Sequence, residues 1–176
     1  MVELIVVRHG ETIENTLKLC QGQTDGTLSE KGKLQNKRLA KELSSLQIHR
    51  IYSSPLKRAY ETAKEINHYH KVELELRDHL KEWYLGDLQG KKFPDDFNIT
   101  NLGADKENAE LVKKRLLLLL KEITNSYKNK SILFVSHGLT LKVLISVLNS
   151  LPNNKVNEVE LMKNSDYKRF KIDKSY

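Results

Sequence analysis

Short, continuous apolar runs alternate along the chain with longer stretches in which apolar residues recur every three or four positions. The wholly apolar runs Leu4–Val7 and Ile132–Val135 are typical of strands buried on both faces of a parallel sheet. The segment Val72–Leu76 instead alternates apolar and acidic residues, which predicts a strand near the sheet edge with one face exposed to solvent. The predicted strands are residues 3–7, 50–54, 72–76, 132–135, 158–162 and 167–172.

Helices are predicted between most of these strands. Ser29 is a suitable N-cap for the first helix, and Pro55 suits the first turn of the second. The predicted helices are residues 29–45, 56–68, 104–126 and 139–148, with irregular chain at 15–28 and 77–104. This alternation predicts an α/β fold, a three-layer α/β/α sandwich with a mainly parallel central sheet. Since no linker or repeat divides the pattern, we expect a single domain over residues 1–176.

Charge and composition narrow the choice of partners. The net charge of +7 favours anionic ligands. Lys and Arg are scattered without an aromatic-interleaved basic motif, so no nucleic-acid partner is expected. No apolar run approaches the ~20 residues that a membrane span needs, so no membrane partner is expected either. The single cysteine, Cys20, excludes an intramolecular disulfide, and the chain start lacks a signal-peptide pattern, so we expect a cytoplasmic protein.

Candidate chemistry lies at the ends of the predicted strands. The first strand runs into Arg8-His9-Gly10, and the strand Ile132–Val135 runs into Ser136-His137-Gly138. The strand at residues 50–54 is followed by Arg58 in the first turn of a helix. Because ligands bind outside the carboxyl ends of strands in open α/β sheets, two imidazoles and two guanidinium groups are expected in one crevice.

These residues belong to ordered blocks that resemble the histidine phosphatase superfamily, also called the phosphoglycerate mutase-like family. The resemblance spans about residues 3–145 and consists of five blocks in order. The first two blocks are Arg8-His9-Gly10-Glu11-Thr12 with Asn15, and Gln21-Gly22 with Asp25, Leu28, Ser29, Gly32 and Gln35. The other three are Ser53-Ser54-Pro55-Leu56 with Arg58, Ala59, Glu61 and Thr62; Glu82 with Gly86, Gln89 and Gly90; and Ser136-His137-Gly138. Several blocks in order are far more specific than a lone Arg-His-Gly. The resemblance implies a phosphoglycerate mutase-like fold and a phosphohistidine intermediate.

The residue types suit the implied chemistry. Arg8 and Arg58 offer planar forks that match phosphate oxygens and neutralise a phosphomonoester dianion. His9 is the expected nucleophile, with its other ring nitrogen held as a donor by a nearby carbonyl. His137, if protonated beside the phosphate, adds a third cation. Glu82 is expected to protonate the leaving oxygen and then to deprotonate the attacking water.

The resemblance also implies residues that bind the phosphate or line the substrate entrance. These are Asn15, Gln21, Gly22 and Gly138. No metal and no other cofactor is expected, because side chains supply the cations. Asn15 could instead cap a turn, and Gln21 and Gly22 could be turn residues only.

Other residues carry weaker alternatives. The proton donor could be one of the other carboxylates in or near the same loop, namely Asp78, Asp87 or Glu107. Glu11 and Thr12 are expected to support the loop rather than to contact phosphorus. His68, His70 and His79 lack a partner at zinc-site spacing and are expected to be solvated. Leu116–Leu120 is expected to pack on the sheet, although five consecutive leucines leave some apolar surface that would suit a homodimer.

The segment 91–110 departs from the family. Lys106-Glu107-Asn108, followed by Arg115, stands where relatives often have Gly-Glu-Ser, so the role of this segment in specificity is open. The chain between Gly90 and Ala104 is short, and mutases carry a longer basic insertion there. The sequence therefore favours a phosphatase of small phosphorylated metabolites, similar to alpha-ribazole phosphatase or broad-specificity acid phosphatases. The alternatives are a phosphoglycerate mutase-type phosphotransferase and a catalytically silent scaffold that binds phosphorylated ligands.

Overall fold

The computed structural model describes residues 1–95, 97–99, 102–173 and 176. The strands are β1 (Val2–Arg8), β2 (Arg50–Ser53), β3 (Leu74–Leu76), β4 (Ser131–Ser136) and β5 (Tyr167–Ile172). The helices are α1 (Ile13–Thr16), α2 (Glu30–Leu43), α3 (Lys57–His70), α4 (Ala109–Ser126) and α5 (Gly138–Leu148). Short 3₁₀ helices lie at Asp78–Leu80, Gly86–Leu88 and Asn153–Glu158. Within these ranges, no helix combines the length and apolar content that crossing a membrane requires.

The five strands form one sheet in the order β3-β2-β4-β1-β5. All neighbouring pairs are parallel except β1 and β5, which are antiparallel. This confirms the predicted mainly parallel sheet, with β3 at an edge. The two central strands β1 and β4 are the apolar runs that the sequence marked as buried on both faces, and every residue from Leu4 to Val7 is fully buried.

Alternate residues of the central strands enter two separate cores. Leu4 and Val6 of β1 pack in the cluster that contains the buried faces of α4 and α5. Ile5 and Val7 pack in the cluster that contains α2 and α3. Because successive strand residues point to opposite faces, this partition places helices on both sides of the sheet. The three-layer sandwich is therefore confirmed.

Three local predictions were wrong. Residues 158–162 are not a strand: the 3₁₀ segment ends at Glu158, and Val156, Val159 and Met162 are buried at three-residue intervals instead of alternating. Helix α4 begins at Ala109 rather than at Ala104, because the Asn108 side chain accepts from the Leu111 amide and caps it. The short helix α1 ends at Thr16, so its last two residues lie within the segment 15–28 that was predicted to be irregular.

Candidate active site

The pairing of β1 with β4 builds the site. Arg8 at the end of β1 is in register with Ser136 at the end of β4, and the His9 amide donates to the Ser136 carbonyl at 3.1 Å. The next residue on each strand is therefore a histidine at the same edge of the sheet. The His9 and His137 rings lie 5.1 Å apart between centroids, tilted by 58°.

His9 is held in one tautomer. Its side chain is buried, and Nδ1 lies 2.7 Å from the Gly10 carbonyl oxygen. Burial, together with the charges of Arg58 and Arg8, holds the pKa of His9 well below its usual range. A neutral imidazole beside a carbonyl carries its proton on Nδ1, which donates to that oxygen. The lone pair of His9 is therefore on Nε2.

Arg58 and Arg8 are both anchored by backbone carbonyls. Arg58 is 1% exposed and donates to Thr24 O at 2.7 Å and to Gly22 O at 2.8 Å. Gly22 has a φ of +52°, a left-handed conformation that favours glycine and presents this carbonyl. Arg8 donates through one terminal nitrogen to the Met162 carbonyl at 2.5 Å. Burial lowers the pKa of Arg58 to about 10, so this guanidinium stays charged at neutral pH.

His137 follows β4 directly and is fully buried. Burial, reinforced by the charges of Arg58 and other cations, holds the pKa of His137 well below its usual range. Its Nε2 lies 2.7 Å from the Ser54 hydroxyl oxygen. These surroundings favour the neutral ring, whereas a phosphate dianion beside it would favour its protonation.

Three buried nitrogens of the site have no hydrogen-bond partner among the described residues. They are Arg8 Nε, Arg58 Nε and His137 Nδ1. Nearly all buried polar groups in proteins are paired, and an unpaired one costs about 1–3 kcal/mol. Since the arginine Nε groups are donors only, a tetrahedral oxyanion is the ligand whose chemistry matches this set.

Glu82 lies at the N-terminus of α5. Its Oε1 accepts from the Thr140 amide at 2.9 Å, the Thr140 hydroxyl at 3.0 Å and the Trp83 amide at 3.1 Å. Its Oε2 accepts from the Leu139 amide at 3.1 Å. The carboxylate thus satisfies amides that the first turn of a helix leaves unpaired, and these donors fix its position at the cleft.

A partly buried ion pair braces the loop that carries Glu82. Arg115 of α4 contacts Glu107 at 3.0 Å and donates to the carbonyls of His79 at 2.5 Å and Glu82 at 3.5 Å. Glu107 also accepts from the Tyr84 amide at 2.9 Å. Gln23 donates to the Glu82 carbonyl at 3.0 Å. Sequence reasoning named Glu107 as an alternative proton donor and as part of a segment, followed by Arg115, that departs from the family, but it did not predict this brace.

The residues predicted to bind the phosphate or to line the substrate entrance all lie at the cleft. Asn15 lines the cleft, and its Oδ1 accepts from the Thr12 amide and from Asn164, so its Nδ2 is the group left to donate. Gln21, Gly22 and Gly138 also line the cleft.

The space around Gly138 explains why this position is a glycine, and the hydrogen bonds of Glu11 and Thr12 explain the role of these residues in the loop after His9. A Cβ at Gly138 would lie 2.9 Å from Leu161 and 3.3 Å from the Arg8 guanidinium carbon, so the glycine allows both to approach α5. Thr12 caps α1 and Glu11 accepts from Ser29 and Lys31, so both support the loop as expected.

The phosphate cleft, as we call this depression, has a volume of about 120 Å³ and is lined by Arg8, His9, Arg58 and Glu82 among others. Its mouth carries apolar side chains, including Leu19, Phe93 and Leu161. Within the described ranges, no three His, Cys, Asp or Glu side chains lie close enough together to hold a metal ion.

Comparison with known proteins identifies the family. A model of the histidine phosphatase superfamily (branch 1) matches residues 4–175. The uncharacterized phosphatase PhoE of Bacillus subtilis is 33% identical over 153 residues, which cover 83% of this chain and 77% of that protein. Phosphoserine phosphatase 1 of Hydrogenobacter thermophilus is 35% identical over 161 residues, which cover 84% and 76%.

A solved structure agrees. That of YhfR from Bacillus stearothermophilus superposes with a TM-score of 0.90 at 26% identity and covers 98% of this chain and 92% of its own. The central sheet, the strand-end histidines and these matches agree with one another. The chain belongs to the histidine phosphatase superfamily.

Proposed function

We propose that this histidine phosphatase hydrolyses phosphomonoesters of small metabolites through a phosphohistidine on His9. The observation that carries the proposal is a buried, neutral His9, with its Nε2 lone pair free, between the buried Arg58 and the partly buried Arg8. The arginines neutralise the phosphate, and the low pKa of His9 keeps its lone pair available at neutral and mildly acidic pH.

In the first step, Nε2 of His9 attacks phosphorus in line. A P–N bond forms, the P–O ester bond breaks, and the bonding electrons leave with the alkoxide. Glu82 donates a proton to that oxygen.

In the second step, water attacks the phosphohistidine. Glu82 takes a proton from the water, the P–N bond breaks, and its electron pair returns to Nε2 of His9. Asn15 and His137 donate hydrogen bonds to the phosphoryl oxygens, and Gly138 lets Arg8 approach them. Gln21 and Gly22 line the entrance. Because Arg8 and Arg58 supply the positive charge, the proposal includes no metal or other cofactor.

Phosphatase relatives favour water over a second sugar-acid hydroxyl as the final acceptor. One curated relative is a phosphoserine phosphatase, which supports a small phosphorylated molecule as the ligand, rather than nucleic acid or a membrane. The phosphotransferase and silent-scaffold alternatives are not favoured. The short stretch between Gly90 and Ala104 and the intact set of site residues are the features of this chain that oppose them.

Two further proposals concern the setting of the protein. We propose the cytoplasm as its compartment, since the single cysteine is a buried free thiol whose pKa burial raises to about 11.

We also propose a homodimer through the outer face of α4, where Leu111 and Leu118 are 51% and 57% exposed. Light scattering in solution tests the dimer: a monomer mass at micromolar concentration contradicts it.

The test of the catalytic proposal is turnover of p-nitrophenyl phosphate by His9→Ala. We expect a loss of at least about 10³-fold in kcat, because the covalent route is removed. His68→Ala, a substitution on the solvent face of α3, is the control and should retain activity. Turnover that survives His9→Ala removes His9 as nucleophile. If the unaltered protein releases phosphate from no phosphoester, the scaffold reading replaces the proposal.

A further inference from the structure

Two consecutive peptide groups follow the proposed nucleophile, and the structure pairs every polar atom of both. The first joins His9 to Gly10, and the second joins Gly10 to Glu11. The carbonyl oxygen of the second group is the atom that lies 2.7 Å from Nδ1 of His9. The direction of this carbonyl therefore decides which ring nitrogen of His9 carries the proton and which carries the lone pair.

Gln35 of α2 holds the second peptide group. Its Oε1 accepts from the Glu11 amide at 3.0 Å. This peptide group is trans and planar, so its N–H and C=O point in opposite directions. Because Gln35 holds the N–H on the side of α2, the Gly10 carbonyl points away from α2, where it meets the His9 ring.

Thr62 of α3 holds the first peptide group. The Gly10 amide donates to Thr62 Oγ1 at 3.2 Å. At the other end of the same peptide group, the His9 carbonyl accepts from the Asn164 side chain at 3.1 Å and from the Ser165 amide at 3.2 Å. Since partners on both sides hold this group, its plane is fixed as well.

The Thr62 hydroxyl has a complete set of partners. It donates its only proton to the Arg58 carbonyl at 2.8 Å. Its lone pairs accept from the Gly10 amide and from Asn36 Nδ2, which lies at 3.0 Å. Asn36 Oδ1 accepts in turn from the Ser165 hydroxyl at 2.7 Å. A hydroxyl offers one proton and two lone pairs, so these bonds leave Thr62 no other orientation.

Burial and close packing strengthen these contacts. Thr62 is 0% exposed and Asn36 is 2% exposed, so water does not compete for their hydrogen bonds. A Cβ at Gly10 would lie 2.6 Å from Asn36 Oδ1 and 2.7 Å from the Gly32 carbonyl oxygen. The glycine therefore lets the loop lie directly on α2, within reach of Gln35.

We infer that Gln35 and Thr62 are positioning residues for the reaction: by holding the two peptide groups after His9, they keep the ring proton on Nδ1 and the lone pair on Nε2. Neither side chain lines the phosphate cleft, so both act through His9. This inference rests on the proposed function, in which Nε2 attacks phosphorus, and it adds the residues that prepare that atom.

The first test is the protonation pattern of the His9 ring, which needs no turnover. Nitrogen-15 NMR of histidine-labelled protein distinguishes a protonated ring nitrogen from one with a lone pair, and comparison with His9→Ala assigns the His9 signals. At neutral pH the unaltered protein should carry the proton on Nδ1. Thr62→Val keeps the shape without the hydroxyl, and Gln35→Met keeps the length without the acceptor. Each variant should show a population with the proton on Nε2.

Kinetics then connect the tautomer with catalysis. Both variants should lower kcat/KM for p-nitrophenyl phosphate about 10- to 100-fold, because a nucleophile displaced by about 1 Å loses up to about 10²-fold in rate. The carbonyls that anchor Arg8 and Arg58 are unchanged. The inhibition constant of inorganic phosphate should therefore change less than about threefold. Thr62→Ser restores the hydroxyl and should recover both the tautomer and kcat/KM.

Thr124→Val is the matched control. Thr124 Oγ1 donates to the Leu120 carbonyl at 2.9 Å, and Thr62 makes the same bond to the carbonyl four positions before it on α3. Thr124 lies near the end of α4 that leads to the start of β4, so it is at the opposite edge of the sheet from His9. The control should lose some stability while the His9 tautomer and kcat/KM stay unchanged.

The outcomes separate the inference from the proposed function. If Thr62→Val and Gln35→Met lower the melting temperature but leave the His9 tautomer unchanged, the two residues are structural and the inference is wrong. A loss of kcat/KM that Thr62→Ser does not recover also overturns it. Gln35 is only partly buried, so Gln35→Met decides the question if Thr62→Val does not fold. Turnover that survives His9→Ala removes the proposed function instead, and the nitrogen spectra still decide the inference.

Discussion

Replacement of Arg115 by methionine tests whether the brace on the Glu82 loop matters for catalysis. Arg115 approaches no phosphate-binding atom in the contacts described above; it pairs with Glu107 and donates to the carbonyls of His79 and Glu82. Methionine keeps much of the volume and removes every donor. The change therefore acts on the proton donor through the loop and leaves the anchors of Arg8, His9 and Arg58 in place.

The structure sets the size of the effect. The Arg115 and Glu107 side chains are only 16% and 19% exposed, so removal of the cation leaves a largely buried carboxylate with fewer partners. We expect a loss of about 3 kcal/mol in the free energy of unfolding. A displacement of the Glu82 loop by about 1 Å should lower kcat for an alkyl phosphate by about 10- to 100-fold.

Inhibition by inorganic phosphate separates a loss of Glu82 positioning from general damage to the site. Inorganic phosphate inhibits through the arginines and His9, so its inhibition constant should change less than about twofold. Arg50→Met is the matched control: it removes the ion pairs with Glu73 and Glu75 at the start of β2, at the opposite end of the strand from the site; the three side chains are 22%, 65% and 31% exposed. It should lose stability but keep kcat. An Arg115→Met enzyme with unchanged kcat, or one whose phosphate affinity falls in step with kcat, refutes the reasoning.

Two further predictions follow from the same site. Glu82→Gln should lower kcat/KM, which reports the first step, about 10²- to 10⁴-fold for an alkyl phosphate but much less for p-nitrophenyl phosphate, whose leaving group needs no proton. Equal losses on both substrates would move the proton-donor role to another carboxylate. Burial lowers the pKa values of His9 and His137 below the ordinary 6.5, so the unfolded chain binds protons that the native state does not as pH falls from about 7 to 5. The free energy of unfolding should therefore decrease on acidification, by up to about 1.4 kcal/mol per pH unit for each histidine, and His137→Asn should reduce that slope in urea titrations.

The strand ends could be predicted because an apolar run is a local property of the sequence, although the pairing of β1 with β4 joins residues 128 positions apart. Leu4–Val7 and Ile132–Val135 are apolar throughout, which is what a central parallel strand requires. Once β1 and β4 are neighbours in register, His9 and His137 must lie side by side. The apolar runs and the residues that follow them predict where each strand ends, whereas the adjacency of the two strands is a tertiary contact that the structure supplies.

The surroundings of Glu82 depend on contacts that no periodicity encodes. Its carboxylate bonds to the amides of Leu139 and Thr140, more than fifty positions away along the chain. The predicted strand at residues 158–162 failed for a related reason: alternation in the sequence competed with burial of Val156, Val159 and Met162 against helices. Tertiary packing decided both, and it does not follow from local propensity.

The most direct test of the central claim is to trap the covalent intermediate. Enzyme mixed with p-nitrophenyl phosphate and quenched in alkali should carry one phosphoryl group on His9, found by mass spectrometry of its peptide. Because Nδ1 of His9 donates to the Gly10 carbonyl, phosphorus NMR should place the phosphoryl group on Nε2. Phosphate on Nδ1, on another residue, or on none during rapid turnover would contradict the account.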